Sequence, residues 1–280
     1  MTPWIIARLT FREASRKKIL WAALALGVAF LAVYSIGFYL IRQDMLNSPR
    51  GGIPLVQNEL ANALLLAGLY AVNFLTVMMT VLTSVDTLSG EIASGTIHTL
   101  VSKPVERWQV LLGKWIGFAG LLTLYLLLMA GGVVLAVALI AGYSPPNLLA
   151  GLGLMWLNAM LLLCLSMLGG TTLSTIANGV LVFGLFGIAF VGGWIEQIGS
   201  ALENQTAVNV GIVSSLILPS EALWKRAAFE MQSALTSLTG ARMTPFSSVS
   251  VPSPAMIVYA GLYALLALAL AVRTFQKRDL

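Results

Sequence analysis

VDTLSGEIASGTIHTLVSKPVERWQVLLGKW, residues 85–115, is the one charged island between two long apolar runs. It carries Asp86, Glu91, Lys103, Glu106, Arg107 and Lys114, together with the only histidine of the chain, His98. Hydrocarbon accepts neither such charges nor glycine-rich backbone without partners, so this stretch belongs in water or at an interface. Ile92, Ile97, Leu100 and Val101 fit one side of a short helix. Ser102-Lys103-Pro104 stops that helix, because the residue before a proline avoids the α region. Pro104 then suits the first position of a following helix, with Ser102 or Lys103 near its cap. The island reads as a short helix, a break and a ramp into the next apolar run. Such a form can present a rigid surface to a partner.

The composition outside the island is that of a membrane chain. Of 280 residues, 58% are hydrophobic and 10% charged, where an average soluble domain carries roughly a quarter charged residues. No soluble core of this length absorbs so much apolar surface. The sequence therefore predicts an all-α integral membrane protein with six transmembrane helices, at residues 20–40, 60–84, 115–141, 148–173, 179–195 and 255–272. Each has about the ~20 residues needed to cross ~30 Å of hydrocarbon. Residues 85–114 form the polar loop between the second and third spans.

Residues 1–18 predict a basic amphipathic helix on the membrane surface. Thr2-Pro3 is a good helix start, Arg8, Arg12 and Arg16 recur every four residues, and Trp4, Ile5 and Leu9 group apart from them. A signal-peptide n-region is the alternative; the apolar run over residues 19–41 is too long for a removable core.

Residues 196–254 predict an external interfacial or re-entrant segment. Residues 207–218 are apolar but too short to cross. Pro219-Ser220 then opens a helix with Leu223, Trp224, Ala227, Met231, Leu235 and Leu238 on one face, Trp224 serving as an interfacial anchor. A seventh crossing through residues 207–218 would put the termini on opposite sides and conflict with the basic residues. Eleven of the sixteen (Arg8, Arg12, Arg16, Lys17, Lys18, Lys103, Arg107, Lys114, Arg273, Lys277 and Arg278) fall on the side of the termini and the island. That side is expected to be cytoplasmic. A formal charge of +5 distributed in this way is a topology signal and does not suggest nucleic acid.

Enzyme chemistry has little to stand on. No Gly-x4-Gly-Lys-Ser/Thr loop occurs, and Gly113-Lys114 lacks both the upstream glycine and the following hydroxyl. No metalloprotease or serine-hydrolase signature occurs, and no Asp, Glu, Lys, Arg or His falls inside the six spans as drawn. Ion-coupled carriers usually need such groups at membrane depth. The remaining polar candidates are Asn73, Thr76 and Thr80 at helical spacing in the second span, with Asn158 in the fourth. Such groups hold helices together or line a pathway, and at a dimer seam one face can do both. Met160, Cys164 and Met167 share a side of the fourth span, and Met78-Met79 lie in the second. Sulfur ligands suit Cu(I), but methionine is also the flexible filler of apolar packing, which is the default reading.

The island also resembles the loop between transmembrane helices 2 and 3 of ABC-2 type transporter permeases. The matching elements are Gly90-Glu91, Gly95-Thr96, Ser102-Lys103-Pro104, Arg107 and Gly113-Lys114. Within that family the chain looks nearest to the NosY-like, copper-processing permeases, an impression to which residues 219–224, PSEALW, add. The resemblance implies the ABC-2 permease (type V exporter) fold and a prokaryotic inner membrane location with both termini cytoplasmic. It implies a homodimer and a separate cytoplasmic ATPase that binds the ATP and magnesium, this chain having no cofactor of its own. It makes the island a coupling loop in which Asp86, Glu91, Gly95, Thr96, His98, Lys103, Pro104 and Arg107 dock on that ATPase. It also implies that the N-terminal helix touches the ATPase, and that the substrate is exported. A membrane scaffold or assembly factor, holding a partner by the same loop and moving nothing, is the alternative.

Overall fold

A computed structural model describes residues 2–47, 53–93, 106–233 and 250–278. They form helices α1 (Thr2–Arg16), α2 (Lys18–Leu46), α3 (Pro54–Ala93), α4 (Arg107–Ala141), α5 (Leu148–Gly170), α6 (Thr175–Ala201), α7 (Gln205–Ile217), α8 (Ser220–Met231) and α9 (Pro254–Lys277). Among the described residues, α2, α3, α4, α5, α6 and α9 are long and apolar enough to cross a membrane. The described residues form an all-α membrane body.

The spans are longer than the apolar runs suggest. Helix α3 has 40 residues, hence a length of ~60 Å, about twice the hydrocarbon thickness. It carries Asp86 and Glu91 on continuous helix, and α4 begins at Arg107 with Glu106 as its cap. Polar residues do not end a helix if they find partners, so the change to polar sequence at residue 85 is not the helix end.

Helices α3 and α5 form the centre. They run parallel and meet through Asn158 Nδ2, which donates to Asn73 Oδ1 at 3.1 Å, and Ser84 Oγ, which donates to Ser166 Oγ at 2.7 Å. Thr76 and Thr80 donate to carbonyls one turn back in their own helix. Asn73, Thr76, Thr80 and Asn158 are all at most 3% exposed. The stripe is buried inside one chain, and its asparagine and serine pairs hold α3 to α5. Cys164 lies in the same core, its sulfur accepting from Trp115 Nε1 at 3.2 Å.

Helix α1 is packed on α4, not laid out alone. A Cβ on Gly113 would meet Ile6 and the Pro3 carbonyl, and one on Gly117 would meet the Ala7 carbonyl and Thr10, all within 3 Å. The two glycines thus let α1 lie directly on the α4 backbone. Ile6, Ala7, Thr10 and Ala14 are buried there, while Arg8, Arg12 and Arg16 face away.

Helices α7 and α8 form a re-entrant hairpin. Glycines let α7 run back along α6: Gly199 faces Ala207, Gly211 faces Glu196, and Gly192 faces Ser214. A bend of 107° at Leu218-Pro219 turns the chain into α8. Helix α8 then climbs to Asn62, which donates to the Met231 carbonyl at 2.9 Å and accepts from the Ser233 amide at 3.0 Å. That is the end of the bundle from which α7 entered, so the pair adds no crossing.

Two expectations about this region are corrected. Glu196 falls within α6, which runs on to Ala201, and is 5% exposed, so ionisable groups are buried inside the body. Helix α8 is not an interfacial helix anchored by Trp224. Glu221, Trp224 and Lys225 are each 4% exposed, and the Trp224 ring packs on Tyr70 at 5.1 Å. The amphipathic pattern is real, but the polar face meets buried partners: Lys225 Nζ pairs with Glu196 Oε2 at 2.8 Å. Leu235 and Leu238 lie outside the described residues.

Candidate functional site

The site is the end of the bundle where α3 stops, α4 starts and the island joins them. Helix α3 reaches it as a continuous rod and presents Asp86 and Glu91 one and a half turns apart. Gly90 makes this possible: a Cβ there would sit 2.2 Å from Asp86 Oδ1, so glycine leaves room for the carboxylate to fold along its own helix. Asp86 is exposed, and its Oδ1 accepts from Thr175 Oγ1 at 3.2 Å. Thr175 Oγ1 also lies 2.9 Å from Ser89 Oγ, which ties the first turn of α6 to the last turns of α3.

Glu91 pairs with Lys114 across the base of the island. The lysine side chain is 4% exposed and the glutamate 19%. An ammonium this buried requires its partner, since removing one member of a buried pair leaves an uncompensated charge. The pair therefore fixes the spacing of α3 and α4 on either side of the loop.

Arg107 turns inward. Its guanidinium donates to the carbonyls of Gln276, at 3.4 Å, and Arg278. The Arg278 guanidinium in turn donates to the Thr171 carbonyl, one of the carbonyls left open where α5 ends. The start of α4, the end of α5 and the end of α9 are thus laced together. Asn178 adds the last tie, donating to the carbonyls of Ser166 at 2.9 Å and Val85 at 3.3 Å.

Of the residues expected to dock a partner, the structure brings Asp86, Glu91 and Arg107 to one end. Asp86 is open to a partner, Glu91 is held by Lys114, and Arg107 is held by the tail. Gly95, Thr96, His98, Lys103 and Pro104 lie outside the described residues, as does the short helix expected through Ile97, Leu100 and Val101. Sequence reasoning missed Lys114 as a pairing partner, Asn178, and the Arg278 tail. Lys114 carried a usable signal, being the last charge before a long uncharged run. Asn178 and Arg278 carried none, because their partners are backbone carbonyls far away in sequence.

The opposite end holds a second polar constellation. Glu196 accepts from Ser250 Oγ at 2.6 Å while pairing with Lys225. Glu221, one turn before Lys225 on α8, is buried beside this pair. Tyr70 accepts from Trp194 Nε1 at 3.1 Å beside this cluster. Two carboxyl groups and one ammonium are thus enclosed where α6, α8 and α3 meet.

Comparison with known proteins places the chain. Residues 4–280 match the sequence model described as ABC-2 family transporter protein. A probable ABC transporter permease protein NosY of Stutzerimonas stutzeri is 29% identical over 143 residues, covering 49% of this chain and 46% of that protein. A probable ABC transporter permease protein NosY of Pseudomonas aeruginosa is 28% identical over 182 residues, covering 62% and 60%. The matched part thus spans about half to three-fifths of the length of these relatives.

Proposed function

From the premise that this chain belongs to the ABC-2 family of transporter proteins, and is a transmembrane permease of an ABC transporter, we propose how it is driven. A separate cytoplasmic ATPase docks on the island between α3 and α4. The permease works as a homodimer. ATP-driven closure of the ATPase pushes the island, and the movement opens an export path through the membrane.

The observation that carries this reading is the lacing at the island's base. The Glu91–Lys114 pair ties α3 to α4, Arg107 ties α4 to the tail of α9, and Arg278 ties that tail to α5. Thr175 and Asn178 add α6. A force on the loop is therefore delivered to five of the six spans at once, as a mechanically driven permease needs. Asp86, exposed beside this lacing, is the described side chain best placed to meet a basic group on the ATPase.

Co-expression with the ABC ATPase subunits of its own genome is the test. The account expects one of them to co-purify and to show vanadate-sensitive ATP hydrolysis. Reversing Asp86 to Lys should weaken the association by roughly tenfold, the order expected when like charges are placed across an interface. If no ATPase binds, the proposal fails. If one binds and hydrolyses ATP but no compound leaves cells or vesicles, the scaffold reading replaces export.

A further inference from the structure

Beside the island end, α1 and α4 enclose a recess of about 600 Å³ that the mechanism above does not use. Its floor is α4 at Ile116 and the open backbone of Gly120, and its inner edge is Gly117, where α1 lies on α4. Its rim carries Arg8 and Arg12, one helical turn apart on α1, with Trp4 and Phe11 alongside. Both arginines are exposed, and neither has a carboxylate partner among the described residues; the one carboxylate of α1, Glu13, reaches Lys17 instead at 3.7 Å. No acidic residue lines the recess.

The level of the recess fixes what it meets. Lys114 is the last charged residue of α4, and residues 115–141 carry none. Gly117 and Gly120 follow Lys114 by one and two turns, ~4.5 and ~9 Å along the axis. The recess therefore straddles the passage from polar to apolar surface, where headgroups give way to acyl chains. Trp4 is 72% exposed at the same place, as aromatic residues are at such boundaries.

We propose that this recess binds an anionic phospholipid, its phosphate between Arg8 and Arg12 and one acyl chain laid over Gly120 beside Ile116. Charge complementarity selects the headgroup: two unpaired guanidiniums favour a lipid of net negative charge over a zwitterionic one. The glycine floor selects a chain, because any side chain at Gly120 would occupy the space it fills. A bound lipid would wedge α1 against α4 and stiffen the segment that leads into α2. This assignment does not depend on the export reading.

The test uses the purified full-length permease, stripped of lipid in detergent, and reads its thermal midpoint. Phosphatidylglycerol should raise the midpoint in a saturable way, and phosphatidylcholine with the same chains should not. Arg8→Gln and Arg12→Gln should each weaken the phosphatidylglycerol response by roughly fivefold without lowering the lipid-free midpoint. Gly120→Leu should abolish the response while the protein still folds, since a Cβ there meets nothing within 4 Å. Equal responses to the two lipids, or a full response in Gly120→Leu, overturn the proposal. So does an equal shift with inorganic phosphate, which would make this a simple anion site. Protection of Arg12→Cys from maleimide by the ATPase but not by phosphatidylglycerol also overturns it, in favour of a protein occupant.

Discussion

The two ends of the bundle use charge in opposite ways. At the island end, the ionic groups that lace the helices have partners and most keep some contact with water: Glu91 is 19% exposed, Asp86 is open, and Arg107 and Arg278 bond to carbonyls. At the opposite end, Glu196, Glu221 and Lys225 are each at most 5% exposed and lie among helices. Apart from Lys114, which is buried against Glu91, the groups of the first arrangement can exchange partners at low cost, because water replaces what is lost. The second cannot, because any broken pair leaves a charge in apolar surroundings. The island end is therefore suited to changing contacts, and the re-entrant hairpin of α7 and α8 is locked in place.

The largest expected effect breaks this contrast at its closed end. Glu196→Ala strands the Lys225 ammonium and should destabilise the detergent-solubilised protein by about 3–5 kcal/mol, as removal of one partner from a buried pair does. Replacing both, as Glu196→Leu with Lys225→Met, should recover most of that loss. Chemical or thermal unfolding of the two variants measures it. If Glu196→Ala costs no more than a surface substitution, the hairpin is not locked by charge.

The next effect is at the glycines that let α7 lie on α6. Gly199→Leu places a side chain against Ala207 and the Val208 amide, both within about 3 Å of a Cβ, and should cost about 1–3 kcal/mol, the usual range for overpacking. The same measurement on Gly184→Leu, where a Cβ meets nothing within 4 Å, should show little change. Equal effects would mean that close approach is not what these glycines provide.

The smallest effect belongs to the neutral centre between the two ends. Asn158→Leu removes the bond to Asn73 and should cost about 0.6 kcal/mol, and no more than about 1.7, the span measured for hydrogen bonds between membrane helices. A double-mutant cycle with Asn73→Leu isolates the term. A much larger value would mean that the Asn73 and Asn158 pair does more than join α3 to α5.

The all-helical membrane body was legible because its signal is additive. Six runs of uncharged apolar residues each exceed what a soluble helix needs, and no tertiary detail can hide that. The island was legible for the same reason, as the place where charge collects. What could not be read was where polar residues end a helix and where they continue it. Asp86, Glu91, Glu196 and Lys225 each looked like a boundary or a surface group, but each is carried on helix beside partners distant in sequence. Helix α8 shows the difficulty best. Its pattern is that of an interfacial helix, and only the presence of Glu196 on α6 makes burial of Lys225 possible. Gly192 and Gly193 serve close approach, packing against Ser214 and Glu221, partners that lie on other helices.

The most direct test of the account is cysteine labelling at the island end. Cys164 is 2% exposed and needs no removal. Glu106→Cys, on the exposed first residue before α4, is compared with Leu202→Cys, 73% exposed at the opposite end. With a membrane-impermeant maleimide on intact cells, Leu202→Cys should be modified and Glu106→Cys should not. In inside-out vesicles Glu106→Cys should be modified, and addition of the ATPase should protect it. Modification of Glu106→Cys in intact cells, or no protection by a bound ATPase, would contradict a permease driven through this end from the cytoplasm.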